Sequence, residues 1–305
     1  MTKPLIETAP NVSEGRRRQI VDRLVEAAGR APGCRLLDVS SDASHNRTVL
    51  TLAGDAQGVA GALLAIYEVA TAAIDIRRHE GVHPRVGAVD VVPLIPLAHA
   101  SMSDCVSLAR TLGRTVADRF GVPVFLYENA ATRAERRALE NIRRGQLAGL
   151  ARRIDQPDWR PDFGPPAPHP TAGVSIIGAR STLIAFNVIL ETDDLTVARE
   201  VARTVRASGG GLPHVKAIAV RLGDGRVQVA MNLTNYLETP LPRAFDAVQR
   251  GAARRGVGVA GSELVGLMPA DALDAAVANH LLLDDYGPHR LLETHLYGPR
   301  STAGC

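Results

Sequence analysis

Six prolines fall within the eighteen residues 156–173, Gln-Pro-Asp-Trp-Arg-Pro-Asp-Phe-Gly-Pro-Pro-Ala-Pro-His-Pro-Thr-Ala-Gly. Each proline fixes φ and lacks an N–H, so no helix or central strand runs through such a stretch. The 305-residue chain is thereby cut into two parts, each large enough to bury a core without disulfides or a structural metal. Trp159 and Phe163 predict that the stretch packs onto the protein as a loop instead of hanging as a free linker. A loop this long in a compact protein usually serves a function.

Before the loop, hydrophobic periodicity predicts a short strand at 5–8, a helix at 16–29 with Ser13 as its cap, and strands at 35–40 and 47–53. A helix at 56–73, a strand at 87–92 ending before Pro93, a helix at 104–120 opening at Ser103 and a buried strand at 122–127 follow. A charged amphipathic helix at 132–144 closes at Gly145, a suitable residue just past a helix end. After the loop come strands at 174–179 and 183–190, then a helix at 194–207 with Asp193 and Asp194 at its positive end. A hairpin at 215–222 and 226–233 turns through Gly223-Asp224-Gly225. A helix at 241–254 and a strand at 257–265 close the series. Each half reads β-α-β-β-α-β, the split β-α-β or ferredoxin-like unit. The expected fold is α/β (α+β) with two such subdomains, residues 1–180 and 181–305.

Composition narrows the function. There are 35 basic and 32 acidic residues, for a net charge of +3, and 33 of the basic residues are arginine. Acids interleave with these arginines and only 4% of residues are aromatic, which is poor material for gripping nucleic acid. No run of 18 apolar residues and no secretory leader pattern is present, so the expectation is a cytoplasmic protein with no membrane partner. Cys34, Cys105 and Cys305 are too far apart for a CxxC metal site or a disulfide framework. Cys34 and Cys105 read as packing residues.

His79-Glu80-Gly81-Val82-His83 matches the zinc-protease pattern HExxH, whose chemistry needs both histidines on one helix face. Gly81 within the pattern and Pro84 after it oppose a helix, so the match reads as chance and no metal is expected. The cluster from Arg77 to Arg85 is either a solvated basic loop or a proton-transfer site, since a histidine titrates near neutrality and arginines anchor carboxylates. Ala9-Pro10-Asn11-Val12-Ser13-Glu14-Gly15 is a polar loop at a helix start, suited to capping or to an anion. Asn46-Arg47-Thr48 opens a strand.

Taken in order, these pieces resemble the glutamate formimidoyltransferase family, the transferase half of formimidoyltransferase-cyclodeaminase. The resembling residues include Pro10-Asn11-Val12-Ser13-Glu14-Gly15, Leu36-Leu37-Asp38-Val39, Asn46-Arg47-Thr48-Val49 and His83-Pro84-Arg85-Val86-Gly87-Ala88-Val89-Asp90-Val91. They continue with Pro161-Asp162-Phe163-Gly164-Pro165, Gly178-Ala179-Arg180, Leu183-Ile184-Ala185-Phe186-Asn187 and Gly261-Ser262-Glu263-Leu264-Val265-Gly266-Leu267. The likeness is collinear over about residues 5 to 280.

The resemblance implies two ferredoxin-like subdomains with a folate cleft between them. It implies transfer of a formimidoyl group from N-formimidoyl-L-glutamate to N5 of tetrahydrofolate, which serves as co-substrate, in histidine breakdown. It places the catalytic general base and acid on His83. Folate contacts fall on Gly164, Pro165, Pro166, Ala167, Pro168, His169, Pro170, Thr171, Ala172 and Gly173. Substrate contacts fall on Asn11, Asp38, Asn46, Arg47, Arg85, Arg180 and Asn232, with Arg85 open to a second reading as a brace for its loop. The partners implied are small molecules, and a homodimer is left open. The sequence departs from the family pattern at two positions. Ser40 stands where the family carries an acid, the next acid being Asp42, and Ser181 stands where a lysine is common. A different formyl or formimidoyl donor or acceptor, or a folate-binding protein without turnover, therefore stays open at this point.

Overall fold

The computed structural model describes residues 3–43, 45–81, 84–272, 280–283 and 287–297. Contacts divide the chain into two units, Met1–Arg180 and Ser181–Cys305. The first is built on a seven-stranded sheet of β1 (Ile6–Thr8), β2 (Asn11–Val12), β3 (Cys34–Asp42), β4 (Arg47–Gly54), β5 (Val89–Pro96), β6 (Val124–Glu128) and β7 (Ser175–Ala179). The strands β1 and β2 are one broken strand, since both lie antiparallel between β4 and β5. The strand order β3-β4-(β1, β2)-β5 is that of a split β-α-β unit. It is extended by β7 parallel to β5 and by β6 parallel to β7.

Helices α1 (Arg18–Gly29), α2 (Ala56–Ala73) and α3 (Met102–Phe120) pack on one face of this sheet. Leu24, Leu50, Leu52, Ile66, Leu94 and Leu112 form their common core. Cys34 and Cys105 are free thiols buried in it, and burial pushes both up to about 11. Helix α2 is long and apolar enough to cross a membrane by composition alone. Its Val59, Ala62, Leu63, Ile66, Tyr67 and Ala70 are instead spent on the core.

The second unit has β8 (Ile184–Leu190), α6 (Leu195–Val205), β9 (Val215–Arg221), β10 (Val227–Leu233), α7 (Leu241–Ala253) and β11 (Val259–Val265). Its fully antiparallel sheet runs β11-β8-β10-β9, again the split β-α-β order. Alternation puts Phe186, Val188, Val229 and Met231 on the side where α6 and α7 bring Val201, Phe245 and Val248. The mixed α/β fold with two sheets is thus the one that the hydrophobic pattern predicts.

Four local expectations need correction. Helix α3 is capped by Ser101 and not by Ser103, because Asp104 sits three residues on and completes a reciprocal capping box. Ser13 does not cap α1. Its hydroxyl donates to the Gly87 carbonyl at 2.7 Å, and the Glu14 carboxylate takes the N–H groups of Arg16 and Arg17 at 2.9 and 2.8 Å. Strand β5 runs through Pro93 to Pro96. Pro93 is tolerated because it falls opposite the gap between β1 and β2, where no ladder bond is required.

The single helix expected at 132–144 is a 3-10 turn, Ala134–Arg136, followed by the short helices α4 (Leu139–Ile142) and α5 (Gln146–Ala151). Arg136, within that charged stretch, is fully buried. It donates to Asp162 at 2.9 Å and to the Asp158 carbonyl at 3.0 Å. Extended Ala138 and left-handed Gly145 break the helix on either side of α4. The Pro-rich loop is irregular beyond the 3-10 turn Pro157–Trp159. Its aromatics pack as expected, with Arg153 over the Trp159 ring at 3.9 Å and Arg114 over Phe163 at 5.1 Å.

Candidate active site

The site is built where three segments of the first unit meet: the loop after β2, the start of β4, and the stretch that leads into β5. Gly15 makes the first junction possible. A Cβ there would lie 2.5 Å from the Asp42 carbonyl oxygen and 2.6 Å from the Arg47 nitrogen, so no larger residue allows the approach. Asn46 ties the junction. It sits at φ 48, a left-handed conformation that asparagine tolerates better than most residues. Its Oδ1 accepts from the Gly15 N–H at 2.9 Å, and its Nδ2 donates to the Glu80 carbonyl at 3.0 Å. Asn46 is therefore a fastener of the site wall.

Arg85 is also committed to the protein. It is buried. Its Nη1 donates to the Asn46 carbonyl at 3.3 Å and lies 2.7 Å from His79 Nδ1, while Nη2 donates to the His45 carbonyl at 3.0 Å. Of the two earlier readings, the brace is the one realised. His79 Nε2 lies 2.8 Å from the Asn46 carbonyl oxygen. Burial drives its pKa down, the Asn46 carbonyl opposes this, and the Arg85 charge adds to the fall. The backbone at His79 is extended after a 3-10 turn, Ile76–Arg78, which removes the helix that a zinc-protease motif requires. Among the described residues no group of three or more His, Cys, Asp or Glu is placed to hold a metal ion.

Asp90 holds the far side of the same stretch. Its Oδ1 accepts from the Val86 and Gly87 N–H groups at 2.6 and 3.3 Å, and its Oδ2 pairs with Arg143. Sequence reading missed this clamp. Its signal was an acid inside the apolar run Val89-Asp90-Val91-Val92.

Arg47 is different. It lines a small cavity with Asn11, Val12, Ser13, Arg85 and Asp90. Among the described residues its guanidinium makes no hydrogen bond or ion pair. Burial lowers its pKa, the nearby Arg143 charge adds to this, and Asp42 and Asp90 pull the other way from a distance. A half-buried guanidinium with no acceptor is costly unless an anion arrives to pair with it. A carboxylate fits its fork bidentately. A wider groove lies between the ends of α1 and α2. It is walled by Ala27, Ala31, Gly33, Gly61 and Ala65, and its charges are already spent in the Lys3–Asp55 pair at 2.6 Å.

The loop residues expected to contact folate are brought against this stretch. The Thr171 carbonyl accepts from the Ile76 N–H at 2.8 Å, and the Ala172 carbonyl accepts from Ala88 at 2.9 Å. Gly173 bridges Gly87, where a side chain would strike the Val174 carbonyl. His169 and Gly173 bond each other's backbones at 2.8 and 3.1 Å. The Nδ1 of His169 accepts from Ala172 at 3.0 Å, and burial lowers its pKa. Gly164, Pro165, Pro166 and Ala167 are exposed, as is Pro170, while Pro168 is half-buried.

The remaining expected contacts scatter. Asn11 is at the cavity. Asp38 lies on β3 opposite Thr51. Arg180 is at the other end of β5, its N–H bonded to the Leu94 carbonyl at 3.0 Å, so the three arginines do not form one cluster. Asn232 is on β10 of the second unit, paired with Ala185 and Lys216. His83 lies outside the described residues, as do Val82 and Ser44.

A two-unit α/β chain whose site offers Arg47, without an acceptor among the described residues, beside the braced Arg85 and the Asp90 clamp has the parts of a transferase for small anionic molecules. Comparison with known families is specific. The formiminotransferase domain, N-terminal subdomain, matches residues 5–180, and the formiminotransferase domain matches residues 185–285. The chain belongs to the formiminotransferase family. It is 43% identical over 296 residues to a protein of Streptococcus pyogenes serotype M1 named glutamate formimidoyltransferase, covering 96% of this chain and 99% of that one. A protein of the same name from Thermoplasma acidophilum is 43% identical over 292 residues, covering 95% and 96%. The formimidoyltransferase-cyclodeaminase of Gallus gallus is 41% identical over 89% of this chain, which spans 52% of that protein.

Proposed function

We propose that this protein moves a formimidoyl group from N-formimidoyl-L-glutamate to N5 of tetrahydrofolate. The observation that carries the reading is Arg47, whose guanidinium has no acceptor among the described residues, in a cavity it shares with Arg85 and Asp90, close in sequence to Ala88, whose N–H bonds the Ala172 carbonyl of the Pro-rich loop. The donor brings two carboxylates, and Arg47 takes one of them. Arg85 and Asp90 hold the stretch still, which makes the geometry a property of the fold and not of the ligand. The loop from Gly164 to Gly173 supports folate.

The chemistry needs one proton to move twice. N5 attacks the amidine carbon, a C–N bond forms, and the N5 proton passes to the base. The glutamate nitrogen then takes that proton as its own bond to the carbon breaks, and glutamate leaves as the free amine. A neutral histidine serves as base and then acid, and His83 is assigned that role.

The test is steady-state turnover with a donor panel. The protein should convert tetrahydrofolate with N-formimidoyl-L-glutamate, the product being read as the methenyl form after acidification. N-formyl-L-glutamate should react at least tenfold more slowly, because its carbonyl lacks the imino nitrogen. Equal or faster reaction of the formyl donor would replace the assignment with a formyltransferase. Folate binding without turnover of any donor would leave a binding protein.

A further inference from the structure

One buried acid has no part in the transfer just described. Glu7 stands in β1 between Ala53 of β4 and Ile95 of β5. Its neighbour Ile6 packs among α1–α3, so alternation turns the Glu7 side chain to the opposite face of the sheet. Glu7 is 9% exposed, and its Oε2 is buried with no hydrogen-bond partner among the described residues. Burial pushes its carboxyl up to about 7, against the pull of the nearby Arg180 charge. Arg180 is itself engaged by the Tyr127 side chain.

The same face carries the substrate end of the site. Arg47, Val49, Thr51 and Ala53 alternate with the helix-facing Leu50 and Leu52 along β4. Asn11 sits opposite Val49, and Glu7 sits opposite Ala53. Four residues of strand separate Asn11 from Glu7, about 13 Å.

A buried carboxylate with an open acceptor is expensive; the Arg180 charge offsets this in part, and among the described residues no hydrogen-bond donor compensates Oε2. Two parallel N–H donors would. A 2-amino-4-oxopyrimidine edge presents such a pair, the ring N–H beside the exocyclic amine. We propose that Glu7 binds this edge of the tetrahydrofolate pterin and so turns N5 toward the Arg47 end of the face. The proposal rests on the folate reading above.

The experiment pairs Glu7→Gln with a ligand change. Tetrahydrofolate and its analogue with the 2-amino group replaced by methyl are compared as substrates of the native protein and the variant. The native protein should bind the analogue about 10- to 100-fold more weakly. Glu7→Gln should lose a similar factor for tetrahydrofolate and discriminate between the two ligands by less than threefold. Its KM for formimidoylglutamate should stay within about twofold. Equal discrimination by variant and native protein overturns the proposal alone. A native protein that binds neither folate overturns the functional reading, and this proposal with it.

Folding is checked separately. Glu7 is protonated in the native state up to about 7 and ordinarily ionises at 4.5. Its contribution is therefore complete below 4.5 and is lost as pH rises through about 7. Glu7→Gln should melt above the native protein at pH 8, with the gap closing toward pH 5. A variant that melts well below the native protein at pH 8 would make Glu7 a structural residue and would count against a ligand role.

Discussion

His83→Ala is expected to lower kcat by about 10²- to 10⁴-fold while tetrahydrofolate still binds within about threefold of the native affinity. The size follows from the proton that must leave N5 and return to the glutamate nitrogen. Without a positioned base, water does that work, and general acid–base catalysis by one group is worth that factor. The split between kcat and binding follows from the fold. The residues that shape the wall are Arg85, Asp90, Asn46 and Gly15, held through the Asn46 and His45 carbonyls, the Val86 N–H and the Asn46 side chain. Single-turnover kinetics with saturating folate, alongside equilibrium binding, measure the two quantities separately. A variant that binds and turns over normally would remove the histidine from the mechanism.

Arg47 and Arg85 should fail in opposite ways, although both are arginines at one cavity. Arg47→Met should cut kcat/KM for formimidoylglutamate by about 10- to 150-fold, since a charge-assisted carboxylate contact is worth about 1.5–3 kcal/mol. It should leave the melting temperature unchanged or raise it, because the native guanidinium has no acceptor to lose among the described residues. Arg85→Met removes the donor that reaches the His45 carbonyl and leaves the Asn46 carbonyl with His79 alone. It should therefore cost on the order of 1–3 kcal/mol of stability. Thermal unfolding and donor KM, measured on both variants, give a two-by-two pattern. Loss of stability in Arg47→Met with donor KM untouched would make Arg47 structural and empty the cavity of its role.

The contrast shows what one chain makes legible. Element order was readable because alternation in β4 and β8 and helical spacing in α2, α6 and α7 are local properties. The Pro-rich segment was readable as an irregular loop because six prolines forbid anything regular there. The sequence cannot distinguish Arg47 from Arg85, since their difference lies in which carbonyls the folded chain brings near. The burial of Arg136 was illegible for the same reason. A charged residue at helical spacing looks solvated until Asp162, 26 residues away, comes to meet it. Asp90 and Glu7 left a signal that was passed over, an acid inside an apolar strand. One is satisfied by two backbone N–H groups and Arg143. The other has an acceptor still open. Only the folded structure separates a structural acid from one that awaits a ligand.

The departure at Ser40 has a structural counterpart. Ser40 and Asp42 are two residues apart on β3, opposite Val49 and Arg47 respectively, so they lie on the same side of the strand as Arg47. The acid is displaced along the face and remains on it. Its carboxylate lies 2.5 Å from His45 Nδ1, immediately beside the Asn46 fastener.

The central claim is that the formimidoyl carbon passes from glutamate to folate in a reaction carried by His83. Donor labelled with ¹³C at that carbon, mixed with tetrahydrofolate and the native protein, tests it by NMR. The account predicts that the label leaves the glutamate nitrogen and appears on N5 of the folate with one glutamate released per transfer, and that His83→Ala leaves it on glutamate over the same interval. Label that reaches formate or formamide with no folate adduct, or that transfers at the native rate in the variant, would contradict it.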